Sequence, residues 1–232
     1  MAIRRRPNDD VEAVNWLCVA IKETDRATEQ RHTGLYYKLS PTEPTQLCHL
    51  AWHFRLTNEV ANDANYIWIE SDLNETVKKQ IVAYIDNILE AGTNTPIPYS
   101  FNDFNGSFDP NTGAFIKTAA GEGLTCATFI LAIFQTMQRP LVQEATWNNR
   151  PQDIQWQARM VNLLTQHGAH PTHVTALQTS IGAIRFRPEE VAAAYNQPSD
   201  QWPITAGIAI PEGERLVIQM RAHAPLPPTA TP

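Results

Sequence analysis

Cys126 stands where a cysteine can become a nucleophile. The run Gly121-Glu122-Gly123-Leu124-Thr125-Cys126-Ala127-Thr128-Phe129 places it after two glycines and a threonine able to cap a helix, at the head of an apolar segment. In the first turn of a helix the backbone N–H groups lack intrahelical acceptors. Together with the helix dipole they favour a thiolate, which can bring a thiol below its free pKa of about 8.5. The glycines, Gly123 above all, would let a substrate carbonyl approach the backbone, and the Cys126 N–H would donate to a developing oxyanion. A thiol nucleophile also needs a base, and the base needs a group to orient it.

Two histidines offer that base. In Leu47–Leu56 the residues Leu50, Trp52, Phe54 and Leu56 alternate with His49, Ala51, His53 and Arg55, as in a strand with two histidines on one face. The polar stretch 58–65 and the aromatic, β-branched Tyr66-Ile67-Trp68-Ile69 then predict a hairpin. With its turn near residue 61, His49 falls beside Glu70 or Asp72, and His53 faces Tyr66–Trp68. Glu70 is therefore the expected orienting group for His49, with His53 the alternative base. Gly123, Thr125, Tyr99 and Trp147 are the expected substrate-binding residues. Of these, Trp147 begins Trp147-Asn148-Asn149-Arg150, a helix entrance that lines a groove or serves as packing.

Other constellations read as structure. His167, His170 and His173 recur every three residues, but Gly168 and Pro171 interrupt any helix, and the reading is a surface loop of unligated histidines with no metal. Asp109-Pro110-Asn111-Thr112-Gly113 lacks the distal glutamate of a calcium loop and reads as a turn. There is no phosphate-binding loop and no serine elbow, and no cofactor is expected. Cys18 and Cys48 complete an odd set of three without a Cys-x-x-Cys pair, so neither a disulfide framework nor a zinc knuckle is expected.

The elements that must carry these residues follow from periodicity and caps. Asp9 with Glu12, and Val11, Val14, Cys18 and Ile21 at helical spacing, predict a helix over 9–29. Asp72 with Glu75 and the stripe Val77, Ile81, Ile85, Ile88 predict a second, ended by Gly92. Residues 93–120 carry turn formers throughout and predict irregular structure with a short strand at 114–117. Thr125–Gln138 is apolar on nearly all sides, as a core helix is. Pro151 opens a helix to Gln166, and Pro188-Glu189-Glu190 starts a short one. Residues 204–210 and 215–220 around Pro211-Glu212-Gly213 predict a hairpin, and the proline-rich 224–232 a flexible tail.

Composition narrows the classes. The 232 residues are 43% hydrophobic and 18% charged, which excludes a disordered chain, and no apolar run is long enough to cross a membrane. The formal net charge of −6, with Arg4–Arg6 as the one basic block, argues against nucleic acid as a partner. The residues after that block are polar, so no secretory signal is read and a cytoplasmic protein is expected. One α+β domain spanning 1–223 is the predicted organisation.

The segment Gly123–Ile130, lying after a strand histidine, resembles the nucleophile helix of circularly permuted papain-like amidases, the NlpC-type superfamily that includes lecithin retinol acyltransferase relatives. Pro98-Tyr99-Ser100-Phe101 and Arg187-Pro188-Glu189-Glu190-Val191 are similar to stretches of uncharacterised bacterial proteins. The resemblance, over roughly residues 45 to 140, implies an antiparallel sheet packed on the cysteine helix, with the histidine strand preceding that helix. It implies hydrolysis of an amide bond in a peptide through an acyl-cysteine intermediate, with Cys126, His49 and Glu70 in the catalytic roles. Acyl transfer or ester cleavage uses the same intermediate, and a non-catalytic interaction module is the alternative from another class.

Overall fold

A computed structural model describes residues 3–222. The chain begins with strand β1 (Ile3–Arg5) and a 3₁₀ turn at Val11–Ala13, followed by β2 (Leu17–Asp25), β3 (Gln30–Tyr37), β4 (Gln46–Trp52), β5 (Arg55–Val60) and β6 (Ile67–Ile69). Helices α1 (Glu75–Gly92), α2 (Cys126–Thr136), α3 (Pro151–Gln166), α4 (Pro171–Thr179), α5 (Pro188–Tyr195) and α6 (Ala206–Ala222) follow. The six strands form one antiparallel sheet in the order β1-β6-β2-β3-β4-β5. The fold is α+β, as the sequence implies, and among the described residues no helix is long and apolar enough to cross a membrane. The tail expected at 224–232 lies outside the described residues.

The helix predicted over 9–29 is instead a single turn and the hairpin β2–β3. Asp10 caps only the turn, accepting from the Glu12 N–H. Leu17–Ile21 is buried on both faces: Leu17, Val19 and Ile21 enter the main core, while Cys18 and Ala20 enter a smaller cluster with Val11, Val14, Tyr36, Leu47, Tyr66 and Trp68. A doubly buried strand reads as a continuous apolar run, and a helical subset can be picked out of it.

The hairpin expected to turn near residue 61 turns instead at His53-Phe54, where Phe54 takes φ 58° and β5 folds back on β4 with His49 opposite Thr57. β6 crosses to the other half of the sheet and pairs with β1 and β2. Two strands therefore separate β4 from β6, a span of about 14 Å at ordinary strand spacing.

The main core lies between one sheet face and α1, α2 and α5. α2 is buried along Cys126–Phe134, as its uniformly apolar sequence predicts. α1 is as expected except that Asn74, not Asp72, caps it by accepting from the Val77 N–H. α3 spans the predicted residues with Pro151 in its first turn. Residues 93–120 are irregular, and in place of the strand at 114–117 there is a single bridge between Phe108 and Phe115. The hairpin predicted around Pro211 is α6: Ala206, Ala209, Gly213, Leu216 and Met220 are buried at helical spacing, and Ile218 is 66% exposed. Gly213 lets α6 pack closely there: a Cβ would lie a tight 3.1 Å from the Glu189–Glu190 backbone of α5.

Candidate active site

Thr125 seats the cysteine. Its hydroxyl accepts from the Thr128 N–H while Thr128 Oγ1 accepts from the Thr125 N–H, a reciprocal cap that leaves Cys126 as the first helical residue. The side chain of Thr125 is thus engaged in the helix, not turned toward a substrate. Gly123, with φ 148°, serves packing as well: a Cβ would fall 2.2 Å from the Pro98 carbonyl oxygen. That close approach lets the Leu124 N–H donate to Pro98 O at 2.9 Å and the Ser100 N–H to Leu124 O at 3.2 Å. Gly123 therefore holds the 98–100 segment beside the cysteine and leaves no gap there for a carbonyl.

Cys126 is 7% exposed. Burial raises its pKa, against the lowering effect of the Thr33 backbone N–H, the Arg185 charge, and the Ala127 and Cys126 N–H groups. Desolvation outweighs the helix terminus, so the resting group is a thiol. Its sulfur looks into a cavity of about 10 Å³ whose walls include Gln30, Arg31, Tyr99, Trp156 and Arg185.

Thr33 lies next to His32 on β3. β3 and β4 pair from Leu35↔Cys48 to Tyr37↔Gln46, and the ladder stops short of His32 and Thr33. On the α2 side of the sheet, the N–H of the peptide that joins His32 to Thr33 lowers the Cys126 pKa. By strand alternation His32 and His49 project to the other side, where His32 Nε2 and His49 Nδ1 lie 2.7 Å apart. Gly34, between them in register, makes this possible: a Cβ on it would come within 2.8 Å of the His49 Cβ. Glu59 Oε1 stands 3.4 Å from His49 Nε2, too poorly aligned to count as a hydrogen bond but close enough to polarise the ring.

These contacts assign tautomers. Glu59 favours the proton on His49 Nε2, so His49 Nδ1 accepts and His32 Nε2–H donates. His32 Nδ1 is then a lone pair with no hydrogen-bond partner among the described residues. Burial, then His49 and Lys22, hold the His32 pKa down at about 3, and burial likewise lowers His49 against the opposing pull of Glu59. Both rings are neutral at pH 7. No hydrogen bond joins either ring to the sulfur among the described residues.

The other expected site residues are placed elsewhere. Glu70 follows β6, away from β4, and its carboxylate pairs with Arg4 at 2.9 Å, so it does not orient His49. Asp72 accepts from the Ser199 N–H. His53, in the β4–β5 turn, accepts on Nδ1 from the Tyr99 N–H, and burial and His173 lower its pKa to about 4. Trp147 is buried in the core and donates to Glu190 at 3.2 Å. Tyr99, by contrast, borders the thiol cavity.

His173 corrects the reading of the histidine triplet as a surface loop. It lies buried in α4, accepting on Nδ1 from the Gly121 N–H at 3.2 Å and donating from Nε2 to Tyr99 O at 2.9 Å. His170 caps the same helix by accepting from the Thr172 N–H. Among the described residues no cluster of three or more His, Cys, Asp or Glu is placed to hold a metal.

Sequence reasoning missed His32 and Glu59. The signal for His32 was the glycine two residues on: in a strand, positions i and i+2 share a face, so His32-x-Gly34 leaves room for a ring from the next strand. The chain matches no protein-family model, no curated protein and no solved structure.

Proposed function

We propose that the chain is a cysteine-dependent hydrolase of amide bonds with a permuted papain-like arrangement, the histidine strands preceding the cysteine helix. Cys126 is the nucleophile, His32 the base, and His49, backed by Glu59, the group that orients His32. The observation that carries this reading is the 2.7 Å bond between His32 Nε2 and His49 Nδ1, on the strand whose Thr33 N–H lowers the Cys126 pKa. His49 thus moves from the base, its role in the sequence reading, to the orienting position.

In the reaction the Cys126 thiol gives up its proton as sulfur adds to the substrate carbonyl carbon; because both rings stand on the sheet face away from α2, the proton reaches His32 Nδ1 through a relaying water, and the Cys126 N–H donates to the oxyanion. Collapse of the tetrahedral adduct breaks the C–N bond, and the amine leaves with the proton from His32. Water, deprotonated by the same nitrogen, then releases the acid from the acyl-cysteine. His49 accepts from His32 Nε2–H throughout and steadies the imidazolium while it exists. Acyl transfer differs only in the nucleophile that ends the cycle.

Incubation with p-nitrophenyl esters of N-acetyl amino acids, followed by peptide mapping, tests the reading. A burst of p-nitrophenol with acyl mass on Cys126, absent in Cys126→Ser, is the expected result. An unacylated Cys126 in the intact protein overturns the enzyme reading in favour of an interaction module. The burial that raises the thiol pKa is the observation on that side.

A further inference from the structure

A cleft of about 510 Å³ lies beside the thiol cavity, and the two share Arg31, Trp156 and Arg185 as a common wall. One side of the cleft is a ridge of α3, with Gln152, Gln155, Trp156 and Arg159 at positions i, i+3, i+4 and i+7. The facing side is the β2–β3 turn, with Thr28 and Glu29. Trp156 Nε1 donates to Gln30 Oε1 at 2.8 Å, so the indole on one wall is tied to the strand on the other. Gln30 also borders the thiol cavity, and the Arg185 guanidinium stacks on the indole, 3.6 Å from its centroid. Only about 10 Å³ is left on the thiol's side of this contact. That is about the space of one water molecule and too little for a substrate carbonyl with its flanking atoms.

We infer that the 510 Å³ cleft is the substrate groove of Cys126 and that the Trp156–Gln30 hydrogen bond is the gate between groove and thiol. The assignment rests on Cys126 being the nucleophile. It names the route to the sulfur and the chemical class that can use it. Charged and amide side chains line the groove: Arg31 is paired with Glu189 at 2.9 Å, Arg150 with Asp153 at 2.8 Å, and Arg159 makes no ion pair among the described residues. A hydrocarbon chain laid there would desolvate these groups with nothing to replace their water, whereas a chain bearing amides and charges supplies partners. The groove therefore takes a polar, peptide-like acyl donor and not a lipid acyl chain. Opening turns the indole away from Gln30 and joins the two cavities, so that the donor's carbonyl can reach the sulfur.

Two variants remove the bond and keep the bulk: Trp156→Phe loses the donor and Gln30→Met loses the acceptor. Alkylation of Cys126 by iodoacetamide at pH 7.5, followed by mass spectrometry, reads the gate. Cys18 and Cys48, both fully buried, serve as internal references. Loss of one neutral hydrogen bond predicts alkylation of Cys126 faster by about two- to tenfold in each variant, with the reference cysteines unchanged. An unchanged Cys126 rate in both variants, or an equal rise at all three cysteines, overturns the gate. Matched chloromethyl ketones read the groove. An acetyl-Glu-Gln-Ala chloromethyl ketone should label Cys126 faster than a decanoyl one, and equal or reversed rates overturn the polar groove. Alkylation requires no turnover, so failure of the gate is distinguishable from failure of the hydrolase reading, which is judged by acylation in the intact protein.

Discussion

Two imidazole pairs lie in this molecule, and they differ in what their nitrogens are doing. At the first, His53 Nδ1 accepts from the Tyr99 N–H while His173 bridges the Gly121 N–H and the Tyr99 carbonyl, with the rings 5.1 Å apart. At the second, His32 spends one nitrogen on His49 and keeps the other unbonded, and His49 has a carboxylate behind it. Both pairs include a ring whose pKa burial depresses, His53 to about 4 and His32 to about 3. A perturbed pKa therefore does not separate the two pairs. What separates them is that His32 keeps an uncommitted lone pair and is backed, through His49, by a carboxylate. The His53–His173 pair fastens the backbone at residues 99 and 121, and so holds the two segments that lead into the cysteine helix.

The sharpest way to break the comparison is to delete one ring from each pair. General-base catalysis is worth typically 10²–10⁴-fold, so His32→Ala should slow acylation of Cys126 by about 10²-fold or more. His53→Ala loses one partly exposed acceptor and should leave the rate per folded molecule within about threefold. Burst kinetics with the p-nitrophenyl esters, corrected for the folded fraction by circular dichroism, gives both numbers. Equal effects would remove the distinction between the pairs, and a larger effect at His53 would restore it as the base.

The same contrast explains what was legible in the sequence. Cys126 and α2 are readable because a threonine cap followed by an all-apolar run has few other interpretations, and Pro151 likewise fixes the start of α3. β2 is not readable, because burial on both faces erases the alternation that marks a strand. With 9–29 read as helix, His32 lies just beyond it and its glycine spacing has no strand in which to act. The hairpin error has a related cause: the alternation of Leu47–Leu56 continues through a tight turn centred on Phe54, whose positive φ is uncommon for a large side chain. That register alone places Glu70 beside His49, and the pairing of β6 with β2 removes it. At α6, Pro211 and Gly213 mimic a turn, although the buried positions around them follow a helical repeat.

Acid should stress the two pairs to different degrees. A ring whose folded pKa lies below its ordinary value of about 6.5 stays neutral in the native state while the unfolded chain takes up a proton. Its contribution to stability is complete above about pH 6.5 and is lost as pH falls toward the folded pKa, which is about 3 for His32. Between pH 7.5 and pH 5 this amounts to about 2 kcal/mol for His32. The share of His53, partly open to water, is smaller. Urea unfolding of the intact protein and His32→Ala at both pH values measures the difference. A variant that loses as much stability on acidification as the intact protein would show that His32 is not held neutral by the fold.

The smallest effect concerns the carboxylate behind His49. Glu59 is 55% exposed and its contact is long, so its electrostatic influence is screened by solvent. Glu59→Gln keeps the size and can still accept a hydrogen bond from His49 Nε2–H, but it removes the negative charge that, in the proposed reaction, stabilises an imidazolium at His32 through His49. Acylation should slow by about two- to fivefold, a loss of well under 1.4 kcal/mol. His49→Ala, which leaves His32 Nε2–H without its acceptor, should cost more than Glu59→Gln. Raising the ionic strength should erase much of the difference between the intact protein and Glu59→Gln, because an exposed charge is screened over about 10 Å at 0.1 M salt. If the deficit of Glu59→Gln persisted undiminished in high salt, Glu59 would act through a fixed hydrogen bond to His49 and not through its charge, and the 3.4 Å separation would have to close in the working enzyme.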